Sequence, residues 1–330
     1  MGTTTTAEVT PANQVFYDRT LLANAVPEMP HGRWGQQRPI SKKSGNQIKF
    51  RKYNALATAT TPLTEGVTPT GKELGTSDII ATPMQYGDFV TISDVVDLVN
   101  QDPVLTEAGK LLGEQAGQTV DEVIRNVIVA GTNVQYANGS ARTAVNTTLT
   151  AGKLNTAIRT LRRQNAKFIK GQLNASTGIG TTPIRKAYIG IIHVDTEAVL
   201  EGITGYKAVS EYPAQMELLE GEVGSYKNIR FVTSTNAKIW ANAGATAGLM
   251  ISTAGTVADV YATLIIAQDS YGIVPLAGGA MKNIIKPIGS SGVADPINQR
   301  GSSGWKVMTT AKILNENWIL RIEHGNTDAL

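Results

Sequence analysis

Three histidines, His31, His193 and His324, are the chain's entire supply of imidazole, and their separation in sequence shows no metal-ligand spacing. A catalytic or metal centre built on them would need a convergence in space that nothing else in the sequence asks for. There is no cysteine, which excludes thiolate metal sites and a disulfide framework. His193 and Asp195 stand two apart at the end of an apolar run, where a base and its orienting carboxylate could sit. The plainer expectation is a strand end that hydrogen-bonds into its own loop. Gly178-Ile179-Gly180 offers the first two glycines of a dinucleotide fingerprint, but Pro183 takes the third place, and the segment precedes a strand instead of joining strand to helix. No phosphate loop ending in Gly-Lys-Ser/Thr and no Gly-x-Ser-x-Gly elbow occurs. The expectation is a non-enzymatic chain with no cofactor.

The chemistry that is present is charge. Among residues 1–60, Arg19, Arg33, Arg38, Lys42, Lys43, Lys49, Arg51 and Lys52 face only Glu8, Asp18 and Glu28, although the whole chain carries just +3. That total is too small for a dedicated nucleic-acid binder. Glu65 and Glu73 are the acidic groups of the Thr-, Pro- and Gly-rich stretch that follows, readable as ion-pair partners for another molecule or as solvated surface.

The elements that must carry these charges do not all bury themselves. Prolines at 11, 27, 30 and 39 make 1–45 an extended arm with room for one short helix at 16–25. Its apolar residues Phe16, Leu21, Leu22 and Trp34 must lie on something else, the chain's own body or another copy. Residues 46–53 alternate, with Ile48 and Phe50 on one face and Lys49 and Arg51 on the other, and strand character returns at 77–93. Between them 56–75 has too few large apolar residues for a core, so the two strands form a projecting ribbon, at best marginally stable alone.

A long helix follows. Asp102 suits its N-cap, Pro103 its first position and Gly131 its end, after a short helix at 93–101. Leu105, Ala108, Leu112, Ala116, Val120, Val123 and Val127 make one stripe. Beyond a turn at Asn138-Gly139 the pattern is mixed α/β: an amphipathic helix with a basic face at 154–166, buried strands at 187–194, 228–235 and 260–268, and polar loops at 171–186 and 236–258. Strands return at 281–288, 305–314 and 317–324, with the two GSSG segments, 289–292 and 301–304, as flexible turns. Hydrophobic residues at 42% allow a real core, and abundant Gly, Ala and Thr with 6% aromatics favour sheet over helix. The first residues lack the pattern of a secretory signal, and no run of about 18 apolar residues predicts a membrane span.

Several stretches are more specific than this order of elements: FYDRTLL at 16–22, RPISKKSGNQIKFRKY at 38–53, ATTPLTEGVTP at 59–69, QYGDFVTISDVVDL at 85–98, the whole of 102–139, YATLIIAQDSYGIV at 261–274 and the block 286–325. Together they resemble the coat-protein family typified by phage N4, within the major capsid proteins of Hong Kong 97-type fold. The long polar loop 171–186, and Val194 where relatives tend to have proline, depart from that pattern.

The resemblance implies an α+β chain with an N-terminal arm at 1–45, an extended loop at 46–92, and a peripheral domain at 93–139 with a spine helix at 102–130. It also implies an axial domain at 140–280 and returning peripheral strands at 281–330. The function it implies is self-assembly into the pentamers and hexamers of an icosahedral head, with an encapsulin-like compartment shell as the alternative. Phe16, Arg19, Trp34, Arg51, Lys52, Glu65, Lys72, Glu73 and Arg300 are the expected intersubunit contacts. Expected partners are many copies of the chain, a portal protein, separate scaffolding and decoration proteins, and packaged double-stranded DNA touched without sequence reading, with Arg19 and Lys110 as candidates. The implied location is the virion, after assembly in the host bacterial cytoplasm.

Overall fold

The computed structural model describes residues 30–41, 45–95, 104–174, 183–213, 218–277, 279–290 and 296–327. The expected helix at 16–25 with Phe16 and Arg19, the pair Asp102 and Pro103, most of the helix at 93–101 and Gly178-Ile179-Gly180 lie outside the described residues.

After β1 (Gln36–Gln37), β2 (Ile48–Tyr53) and β3 (Thr76–Ala81) form an antiparallel ribbon. Pro83 cannot donate to a ladder, and the run expected as one strand at 77–93 breaks at Thr82-Pro83. β3 stays in the ribbon, and β4 (Met84–Ser93) joins a different sheet. Helix α1 (Val104–Val129) is the expected long helix. Its buried stripe is Leu112, Ala116, Val120, Ile124 and Ile128, so the expected Val123 and Val127 give way in the second half to neighbours one residue on. A straight helix has 3.6 residues per turn, and a strictly four-residue step is the one that follows the groove it crosses.

β5 (Val134–Tyr136) leads to helix α2 (Ala151–Arg163), capped by Thr150, whose side chain accepts from the Lys153 N–H. Next come β6 (Tyr188–Ile192), the short helix α3 (Glu197–Glu201), β7 (Tyr206–Ala208), β8 (Glu222–Tyr226), β9 (Ile229–Thr233), β10 (Ile239–Trp240), β11 (Val260–Ile266) and β12 (Tyr271–Ile273). The chain closes with β13 (Lys282–Lys286), β14 (Arg300–Thr309), β15 (Ala311–Ile313) and β16 (Ile319–His324). The result is a mixed α+β protein, mostly sheet.

The main sheet runs β5-β16-β11-β6-β9-β8-β7, with β10 added on β11. Helix α1 covers one face through Ile124 and Ile128 on Ile191, Val232, Leu264 and Ile266. Helix α2 covers the other, with Leu154, Ala157, Ile158 and Leu161 on Tyr188, Ile192, Ile265, Leu320 and Ile322. Burial on both faces is why β6, β11 and β16 read as nearly unbroken apolar runs; each fully buried Leu or Ile contributes about 1.5–3 kcal/mol. The last strand is thus interior: β16 lies between β5 and β11, while β14 pairs with β13 on one side and with β4 on the other.

The GSSG segment 301–304 is not a turn. It lies inside β14, where Ser303 and Gly304 pair with Val90 and Phe89 of β4. A Cβ on Gly304 would stand 2.6 Å from the Phe89 Cβ, so its small size serves close strand approach and not flexibility. The expected strand 305–314 divides at Thr310, whose carbonyl accepts from the Val274 N–H, so that β15 pairs with β12.

Candidate assembly surface

The ribbon is rooted by apolar packing. Ile48 and Phe50 lie against a small core of Ile40, Ala81, Val274 and Leu276. Gly272 makes room, since a Cβ there would meet the Phe50 ring at 2.8 Å. Further out, Arg51 stands opposite Asp78 in the ladder and grips it with two arms, Nε to Oδ1 at 2.9 Å and Nη2 to Oδ2 at 3.1 Å. These hydrogen bonds, then the positive charges of Arg51 and Lys49, hold the Asp78 carboxyl below its ordinary pKa.

Beyond the ladder the tip is held by few bonds. Asn54 donates its N–H to Gly75, Lys72 donates to the Ala57 carbonyl at 3.1 Å, and Val67 donates to Thr64 across a turn where Gly66 takes a φ of 77°. Every residue from Arg51 to Asp78 is exposed, among them Leu56, Leu63 (78% exposed), Val67 and Leu74. Large apolar side chains standing in water at the end of a ribbon are unfinished packing.

A second apolar display lies on the sheet β13-β14-β4. Its inner face rests on α1 through Trp305 and Val307, with Trp305 Nε1 donating to Gln115 at 3.1 Å and Gln115 donating to Asp88 at 2.7 Å. That bond and the Phe89 N–H lower the Asp88 pKa. Side chains alternate along a strand, so Phe89, one residue after Asp88, points away from α1; it is 67% exposed, and Leu111 of α1 is likewise exposed.

Of the expected contact residues, Lys52, Glu65, Lys72 and Glu73 are exposed on the ribbon, and Arg51 is exposed but already paired within its own chain. Trp34 packs against the core beneath α1, with Lys170 Nζ 5.4 Å from its ring centroid. Arg300 opens β14 opposite Ser93. The ribbon gathers Arg51, Lys52, Glu65, Lys72 and Glu73, with Trp34 and Arg300 on other elements.

The histidines, read as far apart, are in part brought together. His193 and His324 flank Tyr261, with ring centroids 5.5 and 6.3 Å from it, because β6, β11 and β16 are neighbours. Tyr261 donates to Asp195 at 2.9 Å, and His193 accepts from the Asp195 N–H, the strand-end bond expected. His31 instead meets Asp121, which accepts its N–H at 2.8 Å and lies 2.7 Å from Nδ1. Among the described residues no group of three or more His, Asp or Glu is placed to hold a metal, and no helix is long and apolar enough to cross a membrane. The reading by stripe missed Asp121 and Arg125, buried polar residues on the packed face of α1. Asp121 directly follows Val120 of the apolar stripe.

This architecture is the one solved for phage capsid subunits. The capsid of cyanophage Pam1 matches with a TM-score of 0.65 at 13% identity over 93% of each chain. That of cyanophage P-SCSP1u gives 0.61 at 16% identity, covering 89% of this chain and 87% of that one. The capsid of Ralstonia phage GP4 gives 0.60 at 11% identity, covering 90% and 88%. Likeness at such identities is a likeness of fold. No curated protein sequence matches the chain. Residues 75–265, more than half of the chain, match the family described as phage capsid protein, and the chain belongs to that family. It is a structural protein of the bacteriophage capsid, and its place is the virion.

Proposed function

We propose that the chain is the major capsid protein of a tailed phage, of the N4-type coat family and the Hong Kong 97-type fold, and that it closes into pentamers and hexamers around double-stranded DNA. The observation that carries this is the ribbon, whose apolar tip residues Leu56, Leu63, Val67 and Leu74 are exposed in the single chain. A neighbouring copy is the surface that finishes them. Many such contacts, each weak, add up across a closed shell because every subunit is engaged several times at once.

In this reading 1–45 is the arm, and the extended loop expected over 46–92 keeps 46–81, since β4 pairs with β14. The peripheral domain is α1 with β4, β13 and β14, and the axial domain is the main sheet with α2, to which β16 brings the end of the chain. Glu65 and Glu73, with Lys52 and Lys72, are the charges the ribbon offers a neighbour, and Phe16, Arg19 and Arg300 are contacts of the arm and the peripheral sheet. A portal protein and separate scaffolding and decoration proteins complete the head, which assembles in the host cytoplasm.

The test removes the tip. Deletion of residues 56–74 is expected to leave a soluble subunit that melts as before and forms no shells by electron microscopy; intact shells would overturn the ribbon's role. Shells of the unaltered chain that enclose host enzymes in place of a genome would overturn the capsid reading in favour of a compartment shell.

A further inference from the structure

Helix α2 turns Leu154, Ala157, Ile158 and Leu161 into the core and leaves Arg159, Arg162 and Arg163 exposed. At spacings of three and four, the three arginines share one face. Arg162 and Arg163 lie in the last turn, where cations suit the helix dipole, but this does not explain what joins them. Two other segments bring cations to the same place: Arg185, just before β6, and Lys227, in the turn between β8 and β9.

These residues line two hollows that run together. One, about 460 Å³, lies between Asn155, Arg159, Arg162, Arg163, Arg185 and Lys227. The other, about 490 Å³, shares Arg185 and Lys227 with it and continues past Lys207 and Ser225. Among the described residues no carboxylate lines either hollow, and no salt bridge engages any of the four arginines. Lys227 has a φ of 50°, a conformation that suits glycine or asparagine in such a turn. It is also held in position, donating to Asn155 Oδ1 at 2.6 Å, with Nζ 5.3 Å from the Tyr226 ring centroid. A cation kept in a conformation that its side chain disfavours is a second sign that the furrow is built for charge.

We infer that this furrow binds the phosphate backbone of double-stranded nucleic acid, and that it is an anchoring point of the packaged genome. Arginine forks match phosphate oxygens in two-armed pairs. Among the described residues no aromatic ring lines either hollow, so unstacked bases find no platform on them. Phosphate contacts carry no sequence information, which is what a shell enclosing any genome requires. The inference rests on the capsid reading for the source of the nucleic acid; its test is separable from that reading.

The experiment compares purified subunits of the natural chain and of an Arg162→Gln/Arg163→Gln variant, titrated into a short fluorescent DNA duplex across a salt series. Both arginines are exposed, so the variant is expected to melt and to form shells like the natural chain. With the four arginines and Lys227 each meeting a phosphate, the logarithm of the affinity should fall against log salt with a slope of about −4.5. The variant should bind on the order of tenfold more weakly at about 0.1 M salt, with the slope reduced by about two. Equal binding by variant and natural chain would overturn the furrow's role. So would poly-glutamate competing as well as the duplex, since the site would then be one for acidic protein. A chain that forms no shells at all would instead overturn the capsid reading.

Discussion

Arg142 holds Glu323 in a two-armed ion pair, Nε to Oε2 and Nη2 to Oε1, both at 2.8 Å. The carboxylate is completely buried and also accepts from Arg321 Nε at 2.8 Å. Arg321 in turn donates to the carbonyls of Val129 and Gly131, closing the C-terminal end of α1, and Arg142 Cζ lies over the Trp240 ring, 3.6 Å from its centroid. One buried anion therefore holds the arginine that ties β16 to α1. Glu323→Ala should cost about 3–5 kcal/mol, because Arg321 is left buried without its counter-charge, whereas Arg142→Ala should cost less, since that arginine is a third exposed. Urea melts of the two variants give the comparison; equal losses would contradict the argument.

Asp121 satisfies three donors at once: the buried N–H and Nδ1 of His31, and the half-buried Asn236 Nδ2 at 2.9 Å. Asp121→Ala strands all three and should cost roughly 3 kcal/mol or more, with faster hydrogen exchange at the His31 amide. An unchanged exchange rate there would show that the chain at His31 is held by other means.

Leu63→Asp and Val67→Asp alter residues that touch little within their own chain. The expected outcome is an unaltered melting curve with loss of shells by light scattering. A lowered melting temperature would mean that the tip folds back onto the subunit.

Gly272→Ala should cost about 1–3 kcal/mol through overpacking against Phe50 and should speed proteolysis of the ribbon at its root. Made on a Phe50→Ala background, the same change should be nearly neutral, and a persisting penalty would place the clash elsewhere.

Burial pushes the His324 imidazole down to about 4, against weaker opposing hydrogen bonds to Gly325 and Asn326. The Gly325 carbonyl 3.0 Å from Nδ1 can only accept, so in the neutral ring Nδ1 carries the proton and Nε2 accepts from Thr263 at 2.8 Å. Below its unfolded pKa of about 6.5 the unfolded chain takes up a proton that the native one refuses. Stability from this group is therefore fully present above about pH 6.5 and declines as pH falls towards 4, by roughly 3 kcal/mol in all. His324→Gln should flatten the pH dependence of the urea midpoint across that window; an unchanged slope would assign it to other groups.

Much of the architecture was legible because it is periodic. Alternation gave the ribbon, with Ile48 and Phe50 inward and Lys49 exposed, the three- and four-residue steps gave α1 and α2, and unbroken apolar runs gave β6 and β11. What failed was local punctuation. Gly301 to Gly304 read as a turn because small residues usually make one, and only the facing Phe89 reveals a strand that needs them small. The break at Thr82-Pro83 has its signal in the proline, which stands within a run of strand-forming residues.

By itself the sequence determined the order of elements, which faces are apolar, and that the tip of the ribbon cannot bury itself, since these follow from residue type and spacing along one chain. Only the tertiary structure decided which buried charges meet. Arg142 and Glu323, or His31 and Asp121, are separated by many residues and share no pattern, and their pairing exists because strand order and helix packing bring them within hydrogen-bonding reach. The cationic furrow is of the same kind: Arg162, Arg185 and Lys227 are ordinary surface charges in the sequence, and α2, the approach to β6 and the β8–β9 turn make them one site.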